Sequence, residues 1–242
     1  MQASSTPLLA YEVEGDRTHL ALPRPELHLV ARFGPSIPGG LDVHVLGARE
    51  RVVRKNLRRG QRSAMARFPL GAAASVLGAT AASLVGRVVP VEALWGAATA
   101  RRLADRLAHT RDTNEAATLL EEAIALRGAF RRPVQLRLVL EATAKLSEAN
   151  VGAVASALDV SERQLRRMFH ETVGLGPKAY AKLARFHRAL HAAQVERHAS
   201  WAGIAAAAGY YDQAHLIAEF RAISGVTPRA LLGELRSAPA IG

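Results

Sequence analysis

The chain has 242 residues, 49% hydrophobic and 22% charged, a globular balance that excludes a disordered polymer and leaves room for one large domain or two ordinary ones. It contains no cysteine, which excludes disulfides, cysteine metal sites, thiol nucleophiles and cysteine redox sensing. Its 32 basic residues against 21 acidic ones give a net charge of +11, and a surplus of that size points to a polyanion, either nucleic acid or an anionic membrane surface.

In chain order, Met1 to Ser5 has no basic segment leading into an apolar core, so no secretion signal is expected and the cytoplasm is the expected location. Residues 6 to 70 read as strands. Leu8–Val13, Leu27–Phe33 and Leu41–Leu46 alternate with period two or form short β-favouring runs, and Arg51–Val53 and Ala64–Phe68 are further candidates. Phe68 to Gly86 is nineteen residues without a charge. Much of it is alanine, which adds little transfer energy, so two short buried helices broken at Gly78 are expected rather than a membrane span. Asn114–Leu126 is expected to be a helix with Ala117, Leu119, Leu120, Ala123 and Leu126 on one apolar face. Arg127 to Pro133 breaks that pattern, and Pro133 suits the first turn of a new helix. The expected organisation is α+β and two-domain. A β-rich domain with short helices takes residues 1–128, and an all-α domain of about seven helices takes 129–242.

The all-α half contains an internal repeat. Ser161, Leu165, Phe169, Gly174 and Pro177 align with Asp212, Leu216, Phe220, Gly225 and Pro228, each pair 51 residues apart and four of the five identical. Just upstream the offset is 50, pairing Val154 with Ile204, Ala155 with Ala205 and Val160 with Tyr210. Each copy reads as a short helix, a tight turn and a second helix. Asn150 and Ser200 cap the first helices, Ser161 and Asp212 cap the second, and Gly174 and Gly225 end them. Leu165, Met168 and Phe169 form one buried face. The plan is a helix-turn-helix, twice, joined by one long helix from about Lys178 to Glu196.

With those motifs in view, the chain resembles the AraC/XylS family of bacterial transcription regulators. The matching residues are Ala155, Leu158, Val160, Ser161, Leu165, Arg167 and Phe169, then Gly174 and Pro177. They continue with Ile204, Ala205, Gly209, Tyr210, Asp212, Gln213, His215, Leu216, Phe220 and Gly225-Val226-Thr227-Pro228, so the resemblance covers roughly Pro133 to Leu235. It implies two recognition helices entering successive major grooves of double-stranded DNA. Ser161, Arg163, Arg166, Arg167 and His170 fall in the first. Arginine suits base or phosphate contact through its planar fork, although a solvated face would look the same in sequence. In the second, the resemblance points to Gln213 for adenine and to His215 and Arg221 for phosphate, with Ala214 also at the interface. Here Ala218 stands where the family commonly has arginine, and Tyr210 to Phe220 contains neither lysine nor arginine, so this half is expected to add little base readout.

The resemblance also brings RNA polymerase, a small-molecule effector and a second copy of the chain into view as partners, with no cofactor and no membrane. The competing reading is a basic, sequence-indifferent binder of nucleic acid or membrane surfaces. An enzyme is not expected, since no nucleophile elbow, P-loop or dinucleotide fingerprint is present. His187, His191 and His198 lie in or near the linker helix without a metalloprotease motif, and a structural role is favoured for them.

Most of the excess charge lies in the N-terminal half, because from Pro133 onward 13 basic residues face 9 acidic ones. Arg49 to Arg62 holds seven basic residues in fourteen, readable as a DNA-facing arm, an anionic-effector site, or a solvated hairpin edge; the last is favoured. Phe68 to Gly78 and Arg87 to Gly96 are similar to an uncharacterised sensor-like domain found fused to this DNA-binding domain, with Leu70 interrupting its usual Phe-x-Pro-Gly. Tyr11, Phe33 and Trp95 are candidates for a pocket or, preferably, for plain core.

Overall fold

The computed structural model describes residues 9–128, 135–146, 149–195 and 200–237. The expected break from Arg127 to Pro133 and the helix start at Pro133 lie mostly outside them, as do Glu196 and His198. Seven strands come first: β1 Leu9–Glu12, β2 Arg17–Ala21, β3 His28–Phe33, β4 Leu41–Leu46, β5 Val53–Leu57, β6 Arg62–Arg67 and β7 Val88–Pro90. Three helices follow, α1 Val91–Trp95, α2 Ala97–Ala108 and α3 Thr113–Arg127. Seven more complete the described residues: α4 Leu136–Lys145, α5 Val151–Ala157, α6 Glu162–Thr172, α7 Pro177–Val195, α8 Trp201–Ala207, α9 Gln213–Ser224 and α10 Pro228–Ser237.

The strands form a five-stranded antiparallel sheet in the order β1-β6-β3-β4-β7 and a two-stranded sheet of β2 with β5. Strand side chains alternate between faces. Leu29, Ala31 and Phe33 of β3, Val43 and Val45 of β4, and Ala64 and Ala66 of β6 therefore share one core with α1 to α3. The uncharged stretch folds as expected into two short turns of helix. One is a π-type turn, Ala73–Leu77, ended by left-handed Gly78, and the other a 3-10 turn, Ala82–Leu84. No helix among the described residues is long and apolar enough to cross a membrane.

Several expectations shift. Asp112 caps α3 by accepting from the Asn114 and Glu115 amides, but Leu126 is exposed. The helix instead buries Ala116, Ala117, Leu120 and Ile124, a stripe rotated towards the sheet. Strands β2 and β7 and helices α1 and α2 were not foreseen. Trp95 and Phe33 are core, with the Trp95 indole donating to the Val76 carbonyl at 3.0 Å, whereas Tyr11 faces a cavity.

A second core holds α4 to α10, and residues of the strand region join it. Leu20 and Ala48 are buried there beside Phe169, Phe186 and Phe220. The Val52 amide donates to the Ile223 carbonyl at 2.9 Å, and His187 Nε2 lies 2.8 Å from the Pro23 carbonyl oxygen. Gly174 adopts φ +89°, and a Cβ there would stand 2.7 Å from the Ala81 carbonyl oxygen. Burial, with Arg24, Arg49 and Arg67 nearby, pushes the His28 imidazole down to about 4. The unfolded chain binds that proton near pH 6.5, so the folded state is favoured above that pH and loses the contribution as pH falls towards 4. Denaturation midpoints are expected to fall across that window, and His28→Leu to flatten the profile.

Candidate nucleic-acid interface

The first motif is built from local signals. The Asn150 side chain accepts from the Ala153 amide and starts α5. The turn then passes through Asp159 at φ +52°, a left-handed position that Gly209 occupies at φ +80° in the second copy. Ser161 accepts from the Gln164 amide at 3.2 Å while Gln164 Oε1 accepts from the Ser161 amide at 2.8 Å, a reciprocal capping box that opens α6. Ser161→Ala is expected to cost about 1 kcal/mol in equilibrium unfolding.

Leu165, Met168, Phe169 and Thr172 anchor α6 in the core. On its outer side Arg163, Arg166, Arg167 and His170 are all exposed, and their spacing of i, i+3, i+4 and i+7 makes them one stripe. Arg166 stands 3.7 Å from Glu162 and Arg167 4.0 Å from Glu171. Exposed pairs at those distances bind weakly, so both guanidinium groups are available to a stronger acceptor. Arg163 forms no ion pair among the described residues.

Helix α9 repeats the backbone but not the chemistry. Asp212 accepts from the His215 amide at 2.7 Å, and Leu216, Phe220 and Ile223 are buried. The repeat offset places Ala214, Ile217, Ala218 and Arg221 where α6 has its four basic residues. Gln213, Ala214 and Arg221 are exposed. His215 turns along its own helix, with Nε2 3.5 Å from Glu219 and its ring edge-on to Tyr210 at 5.3 Å. The nearby cations serve the fold. Arg185 of α7 pairs with Glu219 at 2.7 Å, and Arg188 donates to the Ala208 carbonyl at 3.0 Å. Sequence reasoning missed these two, and also Tyr211, which is 93% exposed at the head of α9. A lone aromatic at a turn carries no periodic signal.

Helix α7 joins the motifs, with Phe186 against Phe220 at a ring separation of 4.6 Å. Gly209 leaves its Cβ position 3.5 Å from Arg188 and 3.8 Å from Arg185. At its positive φ a β-branched residue is strained, so Gly209→Val is expected to destabilise by roughly 2 kcal/mol in chemical denaturation.

Of the basic run, Arg54 reaches across to α10, donating to Glu234 at 2.9 and 3.0 Å and to the Ser224 carbonyl at 3.0 Å. Arg58 pairs with Asp16 at 2.7 Å, and Arg62 lies over the Phe33 ring at 5.3 Å. Strand β5 pairs with β2 rather than β6, so the run is not a single solvated hairpin.

Residues 154–234 match the family model described as a helix-turn-helix domain, which takes in both motifs and the helix between them. This part of the chain is a helix-turn-helix domain of the AraC type, a DNA-binding module. Among solved structures, ToxT from Vibrio cholerae O395 is similar at 10% identity over 94% of this chain and 97% of that one, with a TM-score of 0.45. The unsaturated fatty acid-bound ToxT of Vibrio cholerae strain SCE256 is similar at 9% identity over 99% of this chain and 100% of that one, with a TM-score of 0.44. No curated protein sequence matches the chain significantly.

Proposed function

We propose that this regulator binds specific double-stranded DNA by placing α6 and α9 in successive major grooves, under control of the strand region. The observation that carries the proposal is the exposed stripe Arg163-Arg166-Arg167-His170 on a helix whose opposite face is fully anchored. Helix α7 has 19 residues and spans about 28 Å at the usual rise, close to the 34 Å of one DNA turn. The two helices read differently. Arginines on α6 suit guanine, whose O6 and N7 accept a bidentate pair. On α9 the small, exposed Ala214 and Ala218 suit thymine methyl groups, and Gln213 suits adenine, so the second half-site is A·T-rich. Ser161 and Arg221 contact the backbone, and His215 positions α9.

The contacts of Val52, Arg54 and Pro23 with α7, α9 and α10 leave the α6 stripe open, so the strand region acts from behind the readers. A change there shifts the relative placement of the two motifs, and with it operator affinity, self-association or polymerase contact. Arg166→Ala is expected to cost about 1–3 kcal/mol on a selected site and less on random DNA. Equal loss on both, measured by fluorescence anisotropy, would make Arg166 a phosphate contact and remove it from base readout.

A further inference from the structure

The turn of the second motif carries one residue more than that of the first. Asp159 and Gly209 take the left-handed position of their turns, at φ +52° and +80°. Val160 and Tyr210 follow, and both pack against the helical core. In the first motif Ser161 then caps α6 directly, whereas in the second Tyr211 intervenes before Asp212 caps α9. The first motif closes the same turn without such a residue, so the fold does not require it.

Tyr211 is 93% exposed, and its side chain has no hydrogen-bond partner among the described residues. Its backbone, in contrast, is held. The Tyr211 amide lies 3.5 Å from Nδ1 of His215, whose own amide donates to the Asp212 carboxylate at 2.7 Å. The His215 ring sits edge-on to buried Tyr210 at 5.3 Å. A large aromatic side chain standing in water on a fixed backbone buries nothing in the fold and is already placed for a partner. Its neighbours indicate which one. Gln213 and Ala214, on the first turn of α9, are exposed beside it. The first turn of a recognition helix meets base edges, so the residue just ahead of it stands at the phosphate rim of the groove. Tyr210 to Phe220 contains neither lysine nor arginine, and Arg185 and Arg188 are engaged within the fold. With Gln213 assigned to a base, the Tyr211 hydroxyl is the donor left to this end of α9 for a phosphate.

We infer that Tyr211 is a DNA-backbone contact of the second motif, its hydroxyl donating to a phosphate at the edge of the A·T-rich half-site and its ring lying on the adjoining deoxyribose. The assignment rests on the reading that α9 enters DNA, and it supplies the means by which a helix face without cations is fixed on the duplex. His215 positions this contact by holding the backbone of the turn.

The test is fluorescence anisotropy of the full chain with two labelled duplexes, one carrying the site selected from a random pool and one scrambled, over a series of salt concentrations. A phosphate contact carries no sequence information, so Tyr211→Phe is expected to weaken binding to both duplexes about 3–10-fold. Tyr211→Ala, which also removes the ring, is expected to weaken it further. Tm should stay at the wild-type value in both, since the fold loses no contact. Loss of a neutral donor releases no counterion, so the salt slope of Tyr211→Phe should match the wild type. Tyr211→Arg restores a phosphate donor, and is expected to bind at least as tightly as the wild type at low salt with a slope steeper by about one unit. Phe and Ala variants that bind both duplexes as the wild type does would overturn the assignment, and so would a loss confined to the selected duplex, which makes Tyr211 a base reader. A wild type that binds both duplexes equally would overturn specific recognition instead, with the Tyr211 loss still readable on either duplex; one that binds neither would overturn both.

Discussion

Replacing Phe186 with alanine is expected to lower stability by about 3–5 kcal/mol. The side chain is fully buried in the middle of α7, against Phe220 at 4.6 Å. It lies in the same cluster as Leu165 and Phe169 of the first motif and Leu216 and Phe220 of the second. Truncation leaves a cavity at the point where both motifs meet their connector, and the surrounding helices relax only in part. A domain with a total stability of about 5–15 kcal/mol is then near its limit. Calorimetry should show Tm lowered by roughly 10 °C. Leu126→Ala, on a side chain 80% exposed, should change stability by no more than about 0.5 kcal/mol. Similar losses for the two variants would mean that Phe186 is not part of a shared core.

The second large effect concerns DNA. Combining Arg163→Ala, Arg166→Ala and Arg167→Ala should weaken binding to a selected site by about 100-fold or more, since each bidentate base contact is worth about 1–3 kcal/mol. All three side chains are exposed, so the circular dichroism spectrum and Tm should stay near wild type. Affinity for random DNA should fall less, and each phosphate contact removed should lower the salt dependence by about one unit of slope. Gln213→Ala in the second motif should cost less than the triple variant, because α9 has Ala214, Ile217 and Ala218 at the equivalent positions. A triple variant that binds its site as the wild type does would remove α6 from the interface.

How much of this was legible in the sequence depended on where each side chain faces. The two motifs were readable because their caps, turns and buried faces are local. Asn150, Ser161, Ser200 and Asp212 each accept from an amide within the first turn, as their positions imply. The central strands β3 and β4 were readable from their apolar alternation. Strand β2 was not, and β5 was met only at Val53, the last residue of the candidate Arg51–Val53. Their inward face carries His19 and Lys55 towards the cavity, so the alternation that marks a half-buried strand is missing. Helix α2 buries chiefly Leu103 and Leu107 among alanines and arginines, too sparse a stripe to stand out. The basic run from Arg49 to Arg62 could not be sorted by composition. Only the fold separates Arg49 and Lys55, which enter the cavity, from Arg54, which ties β5 to α10. The charge asymmetry of the motifs was visible at Ala218, and the structure extends it by showing Arg185 and Arg188 engaged within the fold.

Selection of binding sites from a random DNA pool by the full chain tests the central claim most directly. Two half-motifs about ten base pairs apart are predicted, a guanine-bearing one under α6 and an A·T-rich one under α9, with preference over a scrambled control kept as salt rises. A pool that stays random, with full competition by any DNA, would contradict specific recognition by this protein.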